Sequence, residues 1–270
     1  MLTHRLAGLV LASLIAFSAT AAAELSLNPR RAVFNEGDRS ASLTLMNRGT
    51  GQETYRLYWV YRRMDESLGL RAVQNADQVG TPSAESFIRY SPRQVTLEAG
   101  QTQTVRLLLR RPPNLAMGEY RAHLMFEREP DVFTSGDASR DGLSISLNVA
   151  YGLTIPVIVR SGQIDHQVTL ESAELNRDGE RTTLRLQVSR RGESSVFGRL
   201  RVTHQQGEVE TTLAHVPNFA IYSETARGEA EITLDIESAN LQDGLIRIQL
   251  LDREEAREPL LSEIVLPVNE

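Results

Sequence analysis

The side chains that most often carry out catalysis or bind metals are few and scattered in this sequence. Cysteine is absent, so the chain offers neither a thiolate nucleophile nor a thiolate metal ligand. No G-x-S-x-G, P-loop or G-x-G-x-x-G motif occurs. The histidines follow no metal-ligand spacing; they are His4, His123, His166, His204 and His215. The sequence therefore predicts a protein that is not an enzyme, has no catalytic residue and uses no cofactor or metal ion.

Close pairs of acidic residues occur in predicted turns. Glu36 and Asp38 form one such pair, and Asp65 and Glu66 form another. Solvated surface explains these pairs better than general acid–base catalysis, because turns are polar and exposed. The predicted loop at residues 129–142 holds three aspartates whose spacing matches no EF-hand calcium loop: Asp131, Asp137 and Asp141.

The composition is that of a folded, acidic protein with one unusual feature among its cations. The chain has 270 residues, of which 41% are hydrophobic, and this is enough for one or two domains with substantial cores. The net charge of −6 leaves no basic footprint for nucleic acid. All 29 basic residues are arginines, so any cation that binds an anionic partner here must be an arginine.

The first 23 residues have the pattern of a secretory signal. Arg5 precedes an apolar run at residues 6–17, and the small residues at 20–23 suit a signal peptidase. We predict cleavage after Ala23 and secretion into a periplasm. The alternative is an uncleaved anchor, because residues 6–23 are uncharged and reach the lower limit for crossing a bilayer. Without cysteine, the exported protein must be stabilised by burial alone.

From residue 25 onward, short segments of period-two hydrophobicity alternate with turn sequences such as NEGD and NRDG. The predicted strands of a first block are 32–34, 42–46, 54–62, 87–90, 94–97, 103–109 and 118–127. Those of a second block are 168–175, 183–188, 196–203, 210–214, 230–236, 245–251 and 264–268. This spacing predicts an all-β protein made of two Ig-like β-sandwich domains in tandem, at residues 24–159 and 160–270.

The longest alternating segment covers residues 143–159. Its odd positions are all apolar or aromatic, and it contains no charged residue. As one strand it would span about 55 Å, several times the usual strand length. Pro156 cannot donate a hydrogen bond, so we expect pairing to stop there or to move to a sheet edge. Two interpretations stay open: a long core strand that passes between the sandwiches, or an exposed edge that a partner strand pairs with.

Several segments of the first block form a known combination. They are NPRRAVF at residues 28–34, the strand at 42–47 that ends in asparagine, the strand at 55–59 with the single tryptophan, and SPRQVTLEAG at 91–100 followed by QTVRL at 103–107. With this combination, residues 25–159 resemble the periplasmic pilus chaperones, the PapD-like family. Ala99 stands where that family usually has proline, and the second block resembles the family mainly in size and strand spacing.

The resemblance implies a mode of action. In this family, a pilus subunit lacks the last strand of its own sandwich, and the chaperone inserts an alternating strand into the open groove by β-augmentation. The residues that would fill the groove here are Leu143, Ile145, Leu147 and Val149. The residues that would stay near the chaperone's own core are Leu153, Ile155 and Val157. Four buried aliphatic side chains supply roughly 6–12 kcal/mol, which is comparable with the roughly 4–15 kcal/mol that association costs.

The implied partners are pilus or fimbrial subunits and an outer-membrane usher, with no nucleic acid and no small-molecule substrate. Whether the protein caps its own strand in a homodimer stays open. The competing interpretation is a secreted structural or adhesive β-sandwich protein, in which the long strand is core. A third is an enzyme whose site is assembled from scattered residues.

The family also anchors the C-terminal carboxylate of the subunit with an arginine and a lysine between its two domains. Arg31, in the RAVF segment, matches the arginine, although an ordinary surface arginine at the start of a strand would look the same. The place of the lysine falls near Gly152, and the chain contains no lysine. Arg89 and Arg160 are the candidates to replace it, and the sequence does not choose between them.

Overall fold

The computed structural model describes residues 25–129, 152–179, 181–236, 241, 243–254 and 256–268. The predicted signal at residues 1–23, the loop aspartates and the groove-filling residues Leu143, Ile145, Leu147 and Val149 lie outside these ranges. The described residues form β-strands joined by turns and two single-turn 3-10 helices, Ala76–Gln78 and Glu85–Phe87. The prediction of an all-β fold is confirmed.

Eleven strands belong to the first half of the chain. They are β1 (Leu25–Asn28), β2 (Ala32–Phe34), β3 (Ser40–Asn47), β4 (Glu53–Val60), β5 (Arg62–Met64), β6 (Leu70–Ala72), β7 (Ile88–Ser91), β8 (Gln94–Leu97), β9 (Thr102–Leu109), β10 (Gly118–Arg128) and β11 (Gly152–Ser161). One sheet has the order β1-β3-β9-β7 and the other has the order β2-β11-β10-β4-β8, while β5 and β6 form a separate hairpin. The chain changes sheets between β1 and β2 and between β7 and β8. This order is that of an Ig-like sandwich.

The second half forms another Ig-like sandwich from seven strands. They are β12 (His166–Asp178), β13 (Arg181–Gly192), β14 (Val196–Gln206), β15 (Val209–Ile221), β16 (Arg227–Leu234), β17 (Gly244–Asp252) and β18 (Leu260–Val268). Their sheets have the orders β12-β13-β16 and β15-β14-β17-β18. Every strand predicted for this half overlaps one of the seven, so the expectation of two Ig-like sandwiches is confirmed.

Alternation along the strands places a separate hydrophobic core inside each sandwich. In β4, Tyr55 and Leu57 are buried in the first core, and Trp59 packs partly buried against it. The Trp59 and Tyr90 rings meet edge to face, with 5.2 Å between their centroids. The predicted strand at 54–62 ends early, however, because β4 stops at Val60 and the chain turns into the β5–β6 hairpin. Tyr61 consequently leaves this face, and its hydroxyl hydrogen-bonds the Glu85 carboxylate.

The long alternating segment continues through its proline. β11 pairs with β10 along its whole length, and Pro156 stands opposite His123 in that register. Pairing therefore does not stop at Pro156, and the alternative of a sheet edge is the one observed. β2 pairs with β11 only at residues 157–159. Among the described residues, the strand has a single neighbour from Gly152 to Pro156. A residue without an N–H donor fits a position that has only one strand beside it.

The two sandwiches contact each other through a small hydrophobic cluster that is separate from their cores. Met64 and Ile158 from the first pack against Phe197 and Tyr222 from the second. At the connection, β11 ends at Ser161, and Gly162 follows with a φ of +76°, a conformation that favours glycine. These contacts hold the two sandwiches against each other.

Candidate binding site

The open edge of β11 is the first feature that could bind a partner strand. Leu153, Ile155 and Val157 face the core of the first sandwich, which confirms the sequence prediction for these three residues. On one side, the backbone of residues 152–156 pairs with β10. On the other side, no described strand pairs with it. Residues 152–156 therefore form an edge that is open to a partner strand, and the odd-numbered positions of the preceding sequence, 143–151, are apolar or aromatic as well.

A groove runs beside this edge. It has a volume of about 480 Å³ and lies between β1 and the first residues of β11. Leu25 and Leu27 line one side, and Leu153 and Ile155 line the other. The groove therefore lies beside the edge strand β1 of one sheet and the open edge of β11 in the other, and Leu25, Leu27 and Ile155 in its walls are themselves buried.

Arg31 lies at the interface of the two sandwiches, just before β2. Its guanidinium stacks over the ring of Phe197 in β14, with 4.4 Å from Cζ to the ring centroid. One terminal nitrogen lies 3.5 Å from the carbonyl oxygen of Arg253. Burial lowers the pKa of Arg31, and the nearby charges of Arg253 and Arg160 lower it further, while Glu254 acts to raise it. Arg31 is thus a partly buried cation held against the second sandwich.

Arg160, the penultimate residue of β11, also lies at the interface of the two sandwiches. Its side chain is 15% exposed and lies 3.4 Å from the carboxylate of Glu119, which is fully buried. The contact to Glu119 is made by Nε, whereas Nη1 lies 3.0 Å from the Glu254 carboxylate and Nη2 donates to the carbonyl oxygen of Ser195 at 3.4 Å. The backbone N–H of Ser195 also donates to Glu119, at 3.0 Å. These contacts hold the Arg160 side chain in one orientation.

The two arginines open onto one cleft of about 690 Å³ between the sandwiches. Four arginines and one acidic residue are among the residues that line it: Arg30, Arg31, Arg160, Arg253 and Glu254. The chain as a whole carries a net charge of −6, so this concentration of positive charge is local. A cleft of this kind attracts an anion and can bind a carboxylate through planar, paired N–H donors.

Comparisons with known proteins give only distant similarities. No protein-family model and no curated protein sequence matches the chain. A solved structure similar in its backbone is the CupB2 chaperone of Pseudomonas aeruginosa, with 10% identity and a TM-score of 0.45 over 90% of this chain and 99% of that one. Another is the CsuC–CsuE chaperone–tip adhesion subunit pre-assembly complex of Acinetobacter baumannii, with 13% identity and a TM-score of 0.42 over 92% and 99%. A third is the SafA pilin of Salmonella enterica in complex with the SafB chaperone, with 15% identity and a TM-score of 0.40 over 92% and 98%.

The structure distinguishes Arg89 from Arg160, the two arginines that the sequence offered as replacements for the lysine near Gly152. Arg89 lies on β7 and lines a different pocket, beside Trp59. Gly152 lies at the opposite end of β11 from Arg160, eight residues or about 26 Å away along the strand. Arg160 therefore shares the cleft with Arg31, whereas Gly152 and Arg89 do not line it. Sequence reasoning missed Arg253 and Glu254, because they come from the second sandwich and no local pattern marks them.

Among the described residues, no group of three or more histidine, aspartate or glutamate side chains is arranged to hold a metal ion. None of the helices in the described ranges has the length and hydrophobicity needed to cross a membrane.

Proposed function

We propose that this protein is a periplasmic chaperone for pilus or fimbrial subunits that acts by donor-strand complementation. The observation that carries the proposal is the open edge of β11 at Gly152–Pro156, which follows directly on the uncharged alternating segment at 143–151. The donor residues in this proposal are Leu143, Ile145, Leu147 and Val149. They would fill the groove that a missing strand leaves in the subunit.

The arginine cleft supports the same function. A strand that pairs with the open edge of β11 and runs toward Pro156 would end where β2 begins, next to Arg31. In the proposal, Arg31 and Arg160 bind the C-terminal carboxylate of the subunit and thereby fix the register of the added strand. Arg160 would replace the lysine that the related family uses. A guanidinium suits this role because its donors match the geometry of a carboxylate.

The remaining assignments follow from this function. The protein would be exported with cleavage after Ala23, would deliver subunits to an outer-membrane usher and would catalyse no reaction. Its donor strand would belong to an N-terminal domain at residues 24–159, followed by a C-terminal domain at 160–270. A homodimer that covers the donor strand is compatible with the same edge.

The proposal is tested by following a secreted subunit encoded beside this protein's gene. We expect the subunit to accumulate in soluble form in the periplasm only when the full-length protein is produced with it, and to co-purify with it in a one-to-one complex. Equal yields of soluble subunit with and without the protein, and no co-purification, would contradict the function.

A further inference from the structure

Glu254 occupies the arginine cleft with a carboxylate that belongs to the protein itself. One of its oxygens lies 3.0 Å from a terminal nitrogen of Arg160. It is the only acidic residue among the described residues that line this cleft. Its side chain is 19% exposed, so solvent can reach it.

Arg160 does not depend on Glu254 for its position. Its other contacts are to Glu119, whose side chain is fully buried, and to the carbonyl oxygen of Ser195. Its own carbonyl oxygen accepts a hydrogen bond of 2.8 Å from Arg111. The side chain and backbone of Arg160 would therefore keep their orientation if the Glu254 carboxylate moved away.

Arg31 lacks a carboxylate partner of its own. Among the described residues no acidic side chain forms an ion pair with it, and its contacts are the Phe197 ring and the Arg253 carbonyl oxygen. Of these two cleft arginines, Arg160 thus forms an ion pair with a carboxylate of the protein, whereas Arg31 feels the Glu254 charge without forming one. A partner carboxylate that binds both arginines would contact Arg31 as well as Arg160. Glu254 forms an ion pair with Arg160 alone.

We propose that Glu254 is an internal competitor, whose carboxylate takes the place of the partner's C-terminal carboxylate on Arg160 until the partner displaces it. This inference rests on the proposed function, and it adds a step to it. The Glu254 side chain would leave Arg160 as the partner's carboxylate binds. Binding is thereby weakened by the competition, which makes the complex easier to dissociate when the subunit is handed on.

The test uses the synthetic peptide acetyl-VTVTVT with a free C-terminal carboxylate and the same peptide with a C-terminal amide. Both are titrated calorimetrically against the mature protein and against Glu254→Gln. We expect Glu254→Gln to bind the free-acid peptide about 3- to 10-fold more tightly than the unmodified protein, and to bind the amide peptide unchanged. The control variant Glu263→Gln removes the same charge from β18, where Glu263 pairs with Arg247, and should leave both affinities unchanged.

The outcomes separate this inference from the function it rests on. If the protein prefers the free-acid peptide but Glu254→Gln binds it equally or more weakly, Glu254 is a support for Arg160 and the inference is wrong. If the unmodified protein and Glu254→Gln both bind the two peptides alike, the cleft does not bind a carboxylate, and the anchoring role falls together with the competitor. Circular dichroism of each variant verifies that the fold is retained.

Discussion

The guanidinium of Arg121 in β10 forms two hydrogen bonds to the carboxylate of Glu224 in the second sandwich, at 2.6 and 2.8 Å. The side chains are 0% and 2% exposed, and the guanidinium also stacks 3.9 Å above the centre of the Tyr222 ring. Burial acts to raise the pKa of Glu224, but the hydrogen bonds and charge of Arg121 outweigh it, so that the pKa is lowered. The pair therefore stays ionised and joins the two sandwiches in one orientation, which is what keeps Arg31 and Arg160 facing the same cleft.

Breaking this pair should destabilise the protein strongly. Glu224→Gln leaves the Arg121 charge buried without its counter-ion, and we expect a loss of about 3–5 kcal/mol in the free energy of unfolding, measured by urea denaturation. The control is Glu229→Gln, which breaks the exposed pair with Arg185, whose side chains are 49% and 46% exposed. That loss should stay below about 1 kcal/mol. Equal effects of the two substitutions would contradict the role assigned to the buried pair.

The cleft arginines should contribute separately to carboxylate binding. Arg31→Ala and Arg160→Ala should each weaken binding of the free-acid peptide roughly 10-fold or more, because each removes a charged hydrogen-bond donor worth about 1.5–3 kcal/mol. Affinity for the amide peptide should change little. Arg89→Ala removes an exposed arginine from β7, outside the cleft, and should leave the preference intact. If Arg89→Ala alone abolished the preference for the free-acid peptide, the carboxylate would bind near β7, and the assignment to Arg31 and Arg160 would be wrong.

His123 should make the stability depend on pH in a defined window. Burial, together with the charges of Arg121 and Arg62, lowers the pKa of this histidine from 6.5 to about 3. Between those values the unfolded chain binds a proton that the folded chain does not. The stabilisation is therefore complete above pH 6.5 and is lost as the pH falls, by up to about 1.4 kcal/mol per pH unit.

The measurement is urea denaturation at a series of pH values from about 7 to about 5, above the range in which ordinary carboxyl groups titrate. His123→Leu should reduce the slope of unfolding free energy against pH by the contribution of one proton. His215→Leu, on the exposed surface of β15, serves as the control for replacing a histidine. An unchanged slope in His123→Leu would show that this histidine is protonated alike in the folded and unfolded chains.

Local patterns predicted the strands well, because each strand carries its own alternation. β8 was predicted with its observed bounds, 94–97, and β10 to within one residue. The strand at 54–62 was predicted too long, since nothing in its β-rich composition reveals that the chain turns after Val60 into a hairpin. Hydrophobic patterning reports burial, and it does not report where a strand leaves its sheet.

The candidate site could be predicted only in part. Arg31 was identified by its motif, but its approach to Arg160 depends on the parallel pairing of β2 with β11. Such a register joins residues more than a hundred positions apart, and no local pattern encodes it. Glu254 is further still from Arg31 in sequence. These contacts depend on how the second sandwich packs against the first, which the strand pattern leaves undetermined.

The proposed chaperone function requires one face of residues 143–149 to enter the subunit. The most direct test co-expresses a neighbouring secreted subunit with Ile145→Asp/Leu147→Asp and, as a control, with Ser144→Asp/Ser146→Asp, which places the same charges on the opposite face. We predict that the first variant stays folded by circular dichroism but captures no subunit, while the second still captures it. If the first variant unfolds, the segment is core; if it captures the subunit normally, the binding strand lies elsewhere, and either result would contradict donor-strand complementation by these residues.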